Sequence, residues 1–130
     1  MNMEELIKFW IESSDSDFKT MKNLFKSRDY PWSLFMGHLV IEKLIKAYYV
    51  KMIDANVPFS HNLIFLMNKT GIELHENTIN VLSDLTTFNI AARYDDYKRE
   101  FKKTCTRTYT QKYIQEIGKL RKWLKNLIKN

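Results

Sequence analysis

Five charged side chains fall on helical surfaces that are otherwise apolar: Asp17, Glu42, Lys43, Lys46 and Arg93. They come from three separate stretches of the chain. Charges in such places are rarely kept without a partner, because desolvation costs more than an unpaired ion recovers. Two chemistries fit. One is a structural network that ties helices together, for instance Asp17 with Arg93. The other is an anion site, in which Arg93 and a lysine donate charge-assisted hydrogen bonds to a phosphate. Asn89 lies one turn before Arg93, and both border the apolar side of their helix. An arginine set there needs an anion or several acceptors for its five donors.

Other chemistries have little to build on. The chain has 3 His and 1 Cys. No two histidines have the i, i+4 spacing of a helical metal site, and there is no Cys-x-x-Cys. Gly37, Gly71 and Gly118 are too far apart for a phosphate-cradling loop. Cys105 has no local partner that would activate it. Metalloenzymes, P-loop enzymes and thiol enzymes are poor fits, and no cofactor is expected. A single cysteine cannot form an internal disulfide, which suits a reducing cytoplasm. The opening Met-Asn-Met-Glu-Glu lacks the basic and apolar regions of a signal peptide, so a cytoplasmic location is expected.

Charge is unevenly spread along the chain. Residues 1–97 carry 10 basic and 13 acidic groups, whereas residues 98–130 carry 11 basic and 2 acidic. A basic last third can attract phosphate backbones or an acidic protein. Equally, lysines near a helix C-terminus complement its dipole on a solvated face.

These residues must be positioned by helices. The chain has 45% hydrophobic residues but only 3 Gly and 2 Pro, so turns are few and elements long. The stretch from Trp32 to Met52 is apolar on nearly every side, as expected of the central helix of a bundle. Its charges at Glu42, Lys43 and Lys46 argue against a membrane span. Around it, periodicity predicts a long helix over 3–27, unbroken through Ser13–Asp17, with Leu6, Trp10, Met21 and Leu24 on its inner stripe. A turn at 28–31 leads into the central helix at 32–54. Ser60 caps a short helix over 61–69 that ends at Gly71. Further helices cover 76–94 and 108–129. The polar stretch 95–107 reads as a long loop. Gly118, inside the last helix, marks either a close crossing or a weak point. The expectation is one all-α domain over residues 1–130, an up-and-down bundle of four to five helices.

Four segments, in order, resemble the HEPN domain family (higher eukaryotes and prokaryotes nucleotide-binding). They are Ser14-Asp15-Ser16-Asp17-Phe18 in the first helix, Ile41-Glu42-Lys43-Leu44-Ile45-Lys46-Ala47 in the second, Phe59-Ser60-His61-Asn62-Leu63 leading into the third, and Ala91-Ala92-Arg93-Tyr94-Asp95 ending the fourth. The resemblance covers about residues 4–128. It implies a helical bundle, commonly a homodimer, that binds a nucleotide or another phosphate-bearing ligand. Many such domains partner a minimal nucleotidyltransferase, including in toxin–antitoxin pairs. On this pattern the ligand-binding residues are Arg93, Lys43, Lys46, Glu42, Asp17, Tyr94, Asn89 and His61. Other members are metal-independent ribonucleases, which place a His four to six residues after the Arg. Here no His follows Arg93 anywhere, and Tyr94 stands where a small polar residue is usual. Ribonuclease activity by that route is therefore not expected. Two further possibilities are a rearranged nuclease site, with Tyr97 or His61 moving the proton, and binding of RNA or an acidic protein by the basic last helix.

Overall fold

The computed structural model describes all 130 residues, and every regular element in it is a helix. The six are α1 (Met3–Lys26), α2 (Tyr30–Met52), α3 (Leu63–Lys69), α4 (Glu76–Ala91), α5 (Asp95–Thr104) and α6 (Arg107–Lys129). No helix is long and apolar enough to cross a membrane.

α2 is the hub and packs against each of the other five helices. Leu34, Val40, Ile41, Leu44, Ile45, Ala47 and Val50 are fully buried along it. Two buried serines lock α1 onto it in antiparallel register. Ser14 Oγ donates to the carbonyl of Val40 and Ser33 Oγ to that of Met21, each at 2.8 Å. A hydroxyl satisfied in this way can be buried at little cost. Ser14 therefore sits inside an unbroken α1.

α6 runs parallel to α2. A Cβ added to Gly37 would lie 2.3 Å from Ile117 Cδ1, so the glycine is what lets the two helices approach. At the far end Lys51 Nζ donates to the carbonyls of Leu127 and Ile128, at 3.0 and 2.8 Å, and so satisfies acceptors that the end of α6 leaves open. Gly118 has nothing within 4 Å of an added Cβ, so it marks a weak point and not a crossing.

The polar stretch 95–107 is not a loop. Ten of its residues form α5, and the bundle has six helices where four to five were expected. Its apolar stripe is one residue wide, Tyr97, Phe101 and the capping Cys105 at i, i+4 and i+8, and within the helix only Phe101 is buried. Phe101 packs on Phe88 of α4, with ring centroids 5.3 Å apart. Asp95 and Asp96 in the first turn and Lys102 and Lys103 in the last complement the helix dipole.

The remaining boundaries move by a few residues, each for a local reason. α2 begins at Tyr30, because Pro31 falls in a first turn whose N–H groups need no helical partner. The cap of α3 is Asn62, which accepts from the N–H of Phe65, and not Ser60. Ser60 Oγ accepts from the N–H of Asn62 instead, one step earlier. His61 is thereby left outside the helix. α4 stops at Ala91, and Arg93 and Tyr94 lie in the bend before α5.

Candidate functional site

α2, the segment before α3, and the end of α4 converge on one polar network. Its centre is Glu42, whose side chain is only 4% exposed. Oε2 accepts from Lys46 Nζ at 3.0 Å, and Oε1 lies 2.7 Å from His61 Nδ1. Lys46 also stands over the ring of Trp10, 5.2 Å from its centroid. A buried carboxylate is tolerable here because both oxygens are engaged.

His38, one turn before Glu42 and fully buried, continues the network. Its Nε2 is 2.8 Å from the carbonyl oxygen of His61, and its Nδ1 is 3.4 Å from Asn89 Nδ2. Burial pushes its pKa below the ordinary value. The His61 carbonyl and Glu42 oppose that shift, while His61 and Arg93 add to it.

Asn89, buried on α4, holds Arg93. The guanidinium donates through Nε to the Asn89 carbonyl at 2.8 Å and through Nη2 to Asn89 Oδ1 at 2.5 Å. It also lies over two aromatic rings, 5.7 Å from the centroid of Phe35 and 5.2 Å from that of Tyr94. No carboxylate pairs with it. Arg93 is exposed, not half-buried, and it borders a groove of 580 Å³ lined also by His61, Asn62, Thr86, Asn89, Ile90, Tyr94 and Tyr97.

The residues singled out from sequence thus separate into two groups. Arg93, Asn89, His61 and Tyr94 line the groove. Glu42 and Lys46 lie behind His61. Asp17 and Lys43 pair with each other at 2.6 Å across the α1–α2 seam, a close ionic contact rather than an aligned hydrogen bond. The suggested pair of Asp17 with Arg93 is not formed, because Lys43 is the cation that the α1–α2 register brings to Asp17. The lysines of α2 do not line the groove with Arg93.

Sequence reading missed His38 as the link between the His61 backbone and Asn89, and Phe35 as a platform for Arg93. The i, i+4 spacing of His38 and Glu42 was the available signal. It pointed only to a shared helix face.

The basic face of α6 is partly neutralised. Asp15 accepts from Arg121 at 3.0 Å and from Lys125 at 2.6 Å. Burial raises its pKa, but these two cations outweigh that and hold it below the usual value. Arg121 also stacks on Phe18, at 4.1 Å. Lys112, Lys119, Lys122 and Lys129 remain exposed. A second cavity, of 390 Å³, lies between the start of α4 and α6 over Val81, Leu120 and Trp123. Its lysine, Lys119, is 3.6 Å from Glu116.

The fold is thus a six-helix bundle with an unpaired arginine and a carboxylate-held histidine on one groove. The HEPN domain family model matches residues 7–127, nearly the whole chain, and the protein belongs to that family. No curated protein and no solved structure matches the chain.

Proposed function

We propose that the Arg93 groove binds a nucleotide or a similar phosphate-bearing ligand, and that the protein is a homodimeric binding module working with a minimal nucleotidyltransferase of the toxin–antitoxin type. One observation carries the ligand reading. The Arg93 guanidinium is fixed in direction yet has no counter-charge, so an anion entering the groove meets a preset donor. Asn89 and the rings of Phe35 and Tyr94 supply that orientation. Tyr94 and Tyr97, 52% and 56% exposed, offer faces on which a base can stack. His61 and Tyr94 contact the ligand beside Arg93, which the buried Asn89 holds from behind. Glu42 and Lys46 aim His61 from behind, and Asp17 and Lys43 brace α1 against α2. The homodimer and the nucleotidyltransferase partner rest on membership of the family. Exposed Phe59, Phe65, Ile90 and Trp32 add apolar surface for assembly.

The test is calorimetric titration of ATP, GTP and inorganic pyrophosphate into wild type and Arg93→Ala. Arg93 is exposed, so the variant is expected to fold. Binding that is lost in the variant supports the reading. Absence of binding to wild type, or equal binding to both, overturns it.

A second reading is favoured by the Glu42–His61 contact. A carboxylate on Nδ1 holds the imidazole so that Nε2 is free to move a proton, and Arg93 supplies charge for a phosphate. On that reading the groove cleaves RNA without metal. Cleavage in excess chelator, lost in both Arg93→Ala and His61→Ala, supports it; undetectable cleavage by wild type removes it.

A further inference from the structure

We infer that Asn89 and His38 are positioning residues for the anion held by Arg93, and that a one-way chain of hydrogen bonds from Arg93 through Asn89 and His38 to the His61 backbone aims both groove-lining groups at one ligand. This rests on the reading of the groove as an anion site.

The sense of the chain follows from donor and acceptor inventory alone. A guanidinium only donates, so the Asn89 atom 2.5 Å from Nη2 must be the carbonyl oxygen. That turns the amide nitrogen of Asn89 toward His38 Nδ1, 3.4 Å away. An amide nitrogen only donates, so Nδ1 must accept and carry no proton. The ring proton of neutral His38 then sits on Nε2, where it donates to the His61 carbonyl at 2.8 Å. Every step satisfies a polar atom, and reversing any one sets donor against donor or acceptor against acceptor. The full burial of His38 favours the neutral ring that the chain requires. The charged groups facing His38 are Glu42 on its own helix, His61 before α3, and Arg93 in the bend after α4. Nε2 is 3.8 Å from Glu42 Oε1, beyond hydrogen-bond reach, so the His61 carbonyl is its partner.

The consequence is that the two residues most able to touch a phosphate are set by two that do not. Asn89 Oδ1 fixes the guanidinium. His38 fixes which way the Asn89 amide faces and holds the backbone of His61.

The experiment uses inorganic pyrophosphate as the probe and calorimetry as the readout, on wild type, Arg93→Ala, Asn89→Ser, His38→Gln and His38→Asn. The two His38 variants divide its roles. Asn places a carbonyl oxygen near the Nδ1 position and keeps the acceptor for Asn89. Gln reaches the Nε2 position and keeps the donor to His61 but offers Asn89 nothing. Asn89→Ser is expected to weaken binding about tenfold, His38→Gln about fivefold through loss of the Asn89 link, and His38→Asn about threefold through loss of the His61 link. Asn89→Ser placed on Arg93→Ala should add no further loss. If Arg93→Ala weakens binding but Asn89→Ser does not, or if neither His38 variant weakens it, the relay is overturned and the anion site stands. If Arg93→Ala binds like wild type, the anion site falls and the relay with it. Should the His38 variants fail to fold, the ¹⁵N spectrum of the wild-type imidazoles decides: His38 must be neutral with its proton on Nε2, and a proton on Nδ1 refutes the chain.

Discussion

Glu42 Oε1 lies 2.7 Å from Nδ1 of His61, joining the middle of α2 to the residue just before the cap of α3. The same carboxylate accepts from Lys46, so two groups depend on one buried acid. Removing it strands a half-buried ammonium and frees His61. Glu42→Ala is expected to cost about 3 kcal/mol of stability, within the range for breaking a buried pair. Glu42→Gln should cost less, because an amide oxygen still accepts from one partner. Urea denaturation of the three proteins checks this, and a loss below about 0.5 kcal/mol in Glu42→Ala would show the network to be dispensable.

Gly37 and Gly118 should respond in opposite ways. Gly37→Ala drives a methyl into Ile117 Cδ1, and overpacking of this kind costs about 1–3 kcal/mol. Ile117→Val removes that Cδ1 atom, so the double variant should be more stable than the sum of the single effects allows. Gly118→Ala meets nothing within 4 Å and should stabilise α6 by about 0.5–1 kcal/mol. Melting and denaturant midpoints of the four variants are the measurement.

Burial in the bundle pushes the Cys105 thiol up to about 12. Very little thiolate then exists at pH 8, and the sulfur is shielded. Reaction with Ellman's reagent should be on the order of a thousandfold slower than for free cysteine, and should reach the ordinary rate once the protein is unfolded. Fast labelling of the native protein would contradict the packing around α5 and α6.

Stability should fall on the acid side in two stages. His38 has its pKa lowered from 6.5 by burial, so between 6.5 and the lower folded value the unfolded chain binds more protons than the folded one. Its contribution is complete above 6.5 and is lost as pH falls toward the folded value, with a limiting slope of about 1.4 kcal/mol per pH unit. Asp15, lowered from 3.8, has the same sign and acts further down: its stabilisation is lost as pH falls below the ordinary carboxylate range. His38→Asn should abolish the first stage and leave the second. Chemical denaturation from pH 8 to pH 3 separates the two.

Much of the architecture was legible from residue order. An all-round apolar run such as Trp32 to Met52 can be buried only if other helices surround it, and the 3.6-residue stripes of α1 and α6 supplied them. Four short segments in the right order indicated the family. Periodicity gave little sign of α5, because its apolar stripe of Tyr97, Phe101 and Cys105 is a single residue wide in a run of charged residues. Nor could it assign partners among the charges. A helix stripe tells which residues face inward, but ion pairing depends on the register between helices, which is fixed by packing such as Gly37 against Ile117 and Ser14 against Val40. That register gave Lys43 to Asp17, kept Arg93 free of any carboxylate, and brought His38 between Glu42 and Asn89. The residue types needed to bind an anion were present in the chain from the start. Only the folded arrangement decided that the arginine would share its groove with a histidine and two tyrosines while the lysines stayed behind.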